Sequence, residues 1–255
     1  MGAWVLLRGL TRERAHWGAF PAVLAGAIPA PRIVAVDLPG AGTQRDRRSP
    51  VDVGAIVRTC RAQLAEQGES PPYRLLGVSL GAMVAVEWAR SHPGELAACV
   101  LVNTSLRPLS PVWQRLHPRA WGPLLLRLVA GFSGRAWEET VLRLTSNRGD
   151  ATGTVLDDWT AIGRARPVSR GNALRQLLAA ARYRAPGKAP TVPVLVLAST
   201  CDRLVDVRCS RALARRWGVP IAEHPLAGHD LTLDDPGWVA ARVAHWHASG
   251  ASLRR

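Results

Sequence analysis

Tyr73-Arg74-Leu75-Leu76-Gly77-Val78-Ser79-Leu80-Gly81-Ala82-Met83-Val84-Ala85-Val86-Glu87-Trp88-Ala89-Arg90 runs from a short apolar segment, through a serine between two glycines, into an amphipathic segment. The opening residues have the continuous hydrophobicity of a strand buried on both faces, and Ala82 to Arg90 has helical periodicity. A turn joining such a strand to such a helix is tight. Positions two residues either side of the serine then have no room for side chains, which accounts for Gly77 and Gly81. The turn raises the Ser79 hydroxyl above the sheet edge and aims the first N–H groups of the helix beside it. A Gly-rich turn with a capping serine would also contain this string; the flanking strand and helix favour a nucleophile.

The same alternation extends outward. Ala3–Leu7, Ile33–Val36, Arg74–Gly77, Cys99–Asn103, Val192–Ala198 and Val219–Glu223 are short and apolar, as parallel strands covered on both faces are. Helical patterns fill Glu13–Leu24, Val51–Gln67, Leu80–Arg90, Val205–Trp217 and Pro236–Ala248. The order predicts an α/β fold, a doubly wound and mainly parallel sheet. From Ser105 to Pro190 the strand signal disappears. Five helical stretches separated by Pro and Gly predict a helical cap, residues 105–190, inserted into a core of 1–104 and 191–255.

Composition narrows the class. The chain has 255 residues and 47% hydrophobic content, enough for a full core. No apolar run reaches the roughly 18 residues of a membrane span, and Arg8 interrupts the apolar start of the chain. A cytoplasmic protein without membrane attachment is the expectation. Cys60, Cys99, Cys201 and Cys209 are too few and scattered for a disulfide framework or a zinc site, so all four are expected as thiols and no metal is expected. The net charge is +14, but no basic run or zinc module points to nucleic acid.

A serine nucleophile needs a base. His229 lies in Leu226-Ala227-Gly228-His229-Asp230, a loop between the last strand and the last helix, and Gly228 permits close approach. His245 and His247 fall within the terminal helix and His16 on the first. The acid that orients the base is sought after a strand between the two, where Asp202 ends Val194–Ala198. Asp206 is the competitor, with the alternative role of a helix-start acid. A developing oxyanion needs fixed N–H donors. Leu80, directly after the serine, is one candidate, and Leu10 in Arg8-Gly9-Leu10 is the other.

Together these residues resemble the α/β-hydrolase superfamily over nearly the whole chain. Asp37-Leu38-Pro39-Gly40-Ala41-Gly42, Ser79-Leu80-Gly81, Asp202 with Leu204-Val205, and Gly228-His229 are similar to carboxylesterases related to pimeloyl-ACP methyl ester esterase. The resemblance implies hydrolysis of a small-molecule carboxylic ester or thioester of a short or medium acyl group. It implies an acyl-serine intermediate and no cofactor. C–C bond hydrolysis or a lyase step at the same triad, or a non-catalytic binding protein on a hydrolase scaffold, are the alternatives. Two departures stand out. Arg8 occupies the place where the family usually has His, and Ala3–Leu7 already reads as the strand feeding that loop. About six strands are therefore expected, without the family's N-terminal hairpin.

Between Ser105 and Pro190, 13 Arg and one Lys face five acids, a balance of +9. A bias towards Arg codons explains cationic character in general; its concentration here favours an acidic partner such as acyl carrier protein, or an anionic substrate. Trp113, Trp159, Arg166 and Arg170 are the candidate contacts, with Arg175, Arg182 and Arg184 in the same basic group. Trp121, Trp137 and Phe132 are expected to divide between the cleft and the cap's own core.

Overall fold

The computed structural model describes residues 2–29, 31–130, 134–148 and 152–250; Phe132 lies outside them. In chain order the elements are β1 (Trp4–Leu7), α1 (Phe20–Ala27), β2 (Ile33–Val36), α2 (Val53–Glu66), β3 (Tyr73–Val78), α3 (Leu80–Ser91) and β4 (Leu96–Val102). Five inserted helices follow: α4 (Val112–Arg115), α5 (Pro118–Ala130), α6 (Arg135–Thr145), α7 (Thr152–Ala165) and α8 (Arg170–Arg182). The chain then forms β5 (Val194–Ser199), α9 (Val207–Trp217), β6 (Ile221–His224), α10 (Leu231–Asp234) and α11 (Pro236–Ala248).

Six strands pair in parallel, in the order β2-β1-β3-β4-β5-β6. Side chains alternate between two apolar layers, as strand geometry requires. Val5, Leu7 and Leu75 face a layer with Ile56, Leu64, Val84 and Trp88 of α2 and α3. Trp4, Leu6 and Leu76 face a layer with Phe20, Leu24, Val243 and Trp246 of α1 and α11. The chain leaves β1 to form β2 on one side and returns to form β3 on the other. A switch in strand order of this kind opens a crevice at the carboxyl ends of the strands.

The expected helix over Glu13–Leu24 is corrected. A short 3-10 turn, Arg14–Trp17, ends at Gly18, whose φ of 52° stops the helix. Pro21 lies in the first turn of the new helix α1. No described helix is long and apolar enough to cross a membrane.

The inserted helices are stitched to the core by polar side chains. Gln176 of α8 accepts from the Thr11 amide at 2.8 Å and donates to the Pro39 carbonyl at 3.1 Å. Asn172 accepts from the Ser49 amide at 2.9 Å. It passes so close to Gly40 that a Cβ there would lie 2.7 Å from the asparagine Cγ. Arg12 and Glu138 form a buried pair at 2.5 Å, and Arg166 binds Glu13 through two 2.6 Å hydrogen bonds.

Candidate active site

Ser79 joins β3 to α3 with φ 54° and ψ −114°, a conformation that costs a residue with a side chain on the order of 1–3 kcal/mol. The surroundings enforce it. Its amide donates to the Val102 carbonyl at 2.9 Å, and its carbonyl accepts from the Thr104 hydroxyl at 3.1 Å. A Cβ on Gly77 would lie 2.4 Å from the Gly81 carbonyl oxygen, and one on Gly81 would lie 2.1 Å from that of Leu7. Both glycines are therefore steric requirements of this turn.

The loop after β1 crosses directly over the serine. A Cβ on Gly9 would come within 3.4 Å of the Ser79 Cβ and 4.0 Å of its Oγ. Gly9 thus brings Leu10 to the serine from one side while Leu80 begins α3 on the other. Neither the Leu10 nor the Leu80 amide donates to a protein acceptor among the described residues.

His229 follows β6 and is buried. Its Nδ1 meets Asp202 Oδ2 at 2.7 Å, leaving Nε2 as its other ring nitrogen. The second Asp202 oxygen accepts from the Leu204 and Val205 amides at 2.7 and 2.9 Å, so the carboxylate is held on both sides. Asp206 is placed elsewhere. It caps α9, accepting from the Arg208 amide, and pairs with the Arg208 guanidinium. Asn103, directly after β4, donates to the His229 carbonyl at 2.8 Å and accepts from the Ser199 amide, tying the histidine loop to β5. Sequence reasoning passed over it; its signal was a single amide closing an apolar strand.

Burial alone would lower the His229 pKa. The charge and hydrogen bond of Asp202, with the charge of Asp230, outweigh it and raise the imidazole above its ordinary 6.5. Asp230 is itself buried and held as a carboxylate. Burial pushes its pKa up, but Arg8 overrides this by charge and hydrogen bonding, and the net shift is downward. The Arg8 guanidinium binds both Asp230 oxygens, at 3.0 and 2.5 Å, and lies 4.8 Å from the centre of the Trp17 ring. One ion pair therefore joins the loop over the serine to the loop carrying the histidine.

These groups open onto a cavity of about 640 Å³, lined by Ser79, His229, Leu10 and Leu80 and by apolar side chains of the inserted helices. Of the inserted tryptophans, Trp137 lines it. Trp113 is 57% exposed and stands outside the lining, as does Trp121. Trp159 is buried away from the cavity, under the Arg12 guanidinium and against His16. Arg166 is committed to Glu13, and Arg170 is an exposed residue at the start of α8. Neither lines the cavity, so Trp113, Trp159, Arg166 and Arg170 are not brought to the serine. Arg8, Arg12, Arg107 and Arg115 are the cavity's arginines. No group of three or more His, Cys, Asp or Glu is placed to hold a metal among the described residues.

Residues 4–242 match the Alpha/beta hydrolase family. Among curated proteins, the putative carbamate hydrolase RutD of Klebsiella pneumoniae is 26% identical over 239 residues, covering 91% of this chain and 85% of that one. Among solved structures, an esterase from Thermogutta terrifontis superposes with a TM-score of 0.77 at 19% identity, covering 98% of this chain and 90% of that one. The enol-lactonase from Burkholderia xenovorans does so with 0.79 at 18%, covering 97% and 92%. At these identities the structural likeness speaks for the fold.

Proposed function

Since the chain belongs to the alpha/beta hydrolase family, we propose that it is a serine hydrolase cleaving a carboxylic ester or thioester of a short or medium acyl group. His229 takes the Ser79 proton, and the alkoxide attacks the acyl carbon. The Leu10 and Leu80 amides receive the oxyanion. The intermediate collapses as His229 protonates the leaving alcohol or thiol. Water, deprotonated by His229, then releases the acid from the acyl-serine. Asp202 keeps Nε2 free to act by holding the proton on Nδ1.

The observation that carries this reading is the 2.7 Å contact between His229 and Asp202 on the cavity that also exposes the strained Ser79. The apolar wall supports an acyl group as the substrate. We take residues 105–190 as the cap that selects it. A second reading, carbamate cleavage, is favoured by the likeness to RutD. A mainly apolar cavity of about 640 Å³ argues against a substrate of a few polar atoms.

An acidic carrier delivering the acyl group would meet the exposed Arg170, Arg182 and Arg184. A cytoplasmic setting suits four cysteines that are all free thiols.

The test is labelling with a fluorophosphonate alongside turnover of p-nitrophenyl butyrate. Ser79→Ala should lose labelling and lower kcat on the order of 10⁶-fold while keeping its circular dichroism spectrum. Labelling and turnover that survive in this variant refute the reading.

A further inference from the structure

The four arginines of the cavity fall into two kinds. Arg8 and Arg12 are buried, and each meets a buried carboxylate, Asp230 and Glu138 respectively. Arg107, in the loop after β4, and Arg115, on α4, meet no carboxylate among the described residues. Their hydrogen-bond partners are carbonyls in the last turn of α8. Arg115 donates to Ala180 at 2.7 Å and to Ala181 at 3.4 Å; Arg107 reaches Ala181 at 3.5 Å. Among the described residues the Arg115 Nε is buried without a partner, as are the Nε atoms of Arg8 and Arg12, so what sets Arg107 and Arg115 apart is the missing carboxylate.

A helix C-terminus offers roughly half an elementary negative charge, against two full cations here. The residual charge faces a cavity whose lining is, taken as a whole, mostly apolar. Burial, and then the neighbouring Arg107, lower the Arg115 pKa from its usual value. A guanidinium presents paired donors that match a carboxylate in the plane. Elsewhere in the cavity the fold supplies that carboxylate itself; at this one place it does not.

We propose that Arg107 and Arg115 form a subsite for a carboxylate carried by the substrate away from its scissile bond. This rests on the proposed function and deepens it: the substrate is an anionic ester, with the charge on the acyl half or on the alcohol half.

Three esters separate the cases. p-Nitrophenyl hexanoate is neutral, mono-p-nitrophenyl adipate carries its carboxylate on the acyl half, and the hexanoate ester of 4-hydroxybenzoate carries it on the alcohol half. One of the two anionic esters should exceed the neutral one in kcat/KM by about tenfold, and Arg107→Gln/Arg115→Gln should erase that preference through KM. Glutamine keeps a donor for the α8 carbonyls, and the single Arg107→Gln should lose part of the preference if the double variant folds poorly. Anionic esters that are both poorer than the neutral one in the unmodified chain, or a preference indifferent to the substitutions, overturn the subsite.

A second measurement is independent of turnover. Where the carboxylate lies on the acyl half, titration calorimetry should find adipate bound by the unmodified chain and at least about tenfold weaker in the double variant. For the alcohol half, 4-hydroxybenzoate takes adipate's place. Such binding in a chain that hydrolyses no ester sustains the subsite and refutes the hydrolase. Ester turnover without binding of either acid does the reverse.

Discussion

The cavity has two walls of different construction. The wall made by loops at the strand ends is polar and internally matched. Arg8 faces Asp230, His229 faces Asp202, and Asn103 anchors the histidine loop. The wall made by the inserted helices is apolar and partly unmatched. Val112 and Leu177 line the cavity yet are 60% and 46% exposed, and among the described residues the Arg107 and Arg115 side chains have only carbonyl partners. A matched, buried network fixes geometry, because any displaced member leaves a charge stranded at low dielectric. An apolar wall tolerates side chains of other sizes. The first suits a reaction that needs atoms in fixed places, and the second suits the choice of what reacts.

The sharpest break of this comparison is Asp202→Asn. It should lower kcat by about 10⁴-fold, because an amide that donates to Nδ1 imposes the wrong tautomer on His229. A loss below about tenfold in p-nitrophenyl ester turnover would show that the matched wall is not what sets the chemistry.

Asp230→Asn comes next. It strands the Arg8 cation and should cost about 3–5 kcal/mol in urea unfolding. It should also move the pH profile. The Asp230 charge raises the His229 pKa; in the proposed mechanism His229 acts as a neutral base, so kcat/KM should rise with pH through that pKa. In the unmodified protein the acid limb should lie above 6.5, the ordinary imidazole value, and in the variant it should shift downward. An unmoved limb would make Arg8–Asp230 a structural pair only.

The smallest effect belongs to the helical wall. Leu177→Ala should move the acyl-length preference towards longer chains with a change of about tenfold or less between homologous esters. Its stability should fall little, since the side chain is half in solvent already.

The legible parts of the molecule were those with short-range rules. The strands were readable because they are short apolar runs, the four inner ones covered on both faces, and the serine turn because Gly77 and Gly81 are sterically forced within five residues. Gly18 marked the break in the first helix, but one glycine in an amphipathic run does not state its φ. Asp202 and Asp206 were both candidates because each follows β5 closely; their separation into histidine partner and helix cap depends on which way the loop turns. Arg8 with Asp230, and Arg12 with Glu138, are 222 and 126 residues apart in the chain. Such pairs leave no period to detect. Trp137 and Trp159 both lie on amphipathic helices, and only packing decides which of them sees the cavity. Arg166 belongs to a basic group in the sequence, and its partner Glu13 lies too far off in the chain for any local pattern to show the pair.

The polar stitches of α6 and α8 to the core have a practical consequence. With Gln176 on Thr11 and Pro39, and Glu138 on Arg12, α8 and α6 are tied to the core by buried polar contacts. Where the walls are held in this way, admission is expected to be a matter of bore, to be checked by turnover of esters of increasing girth. Because Val112 and Leu177 flank that bore and belong to no buried network, the aperture is open to recutting one side chain at a time, while the machinery beneath stays as it is.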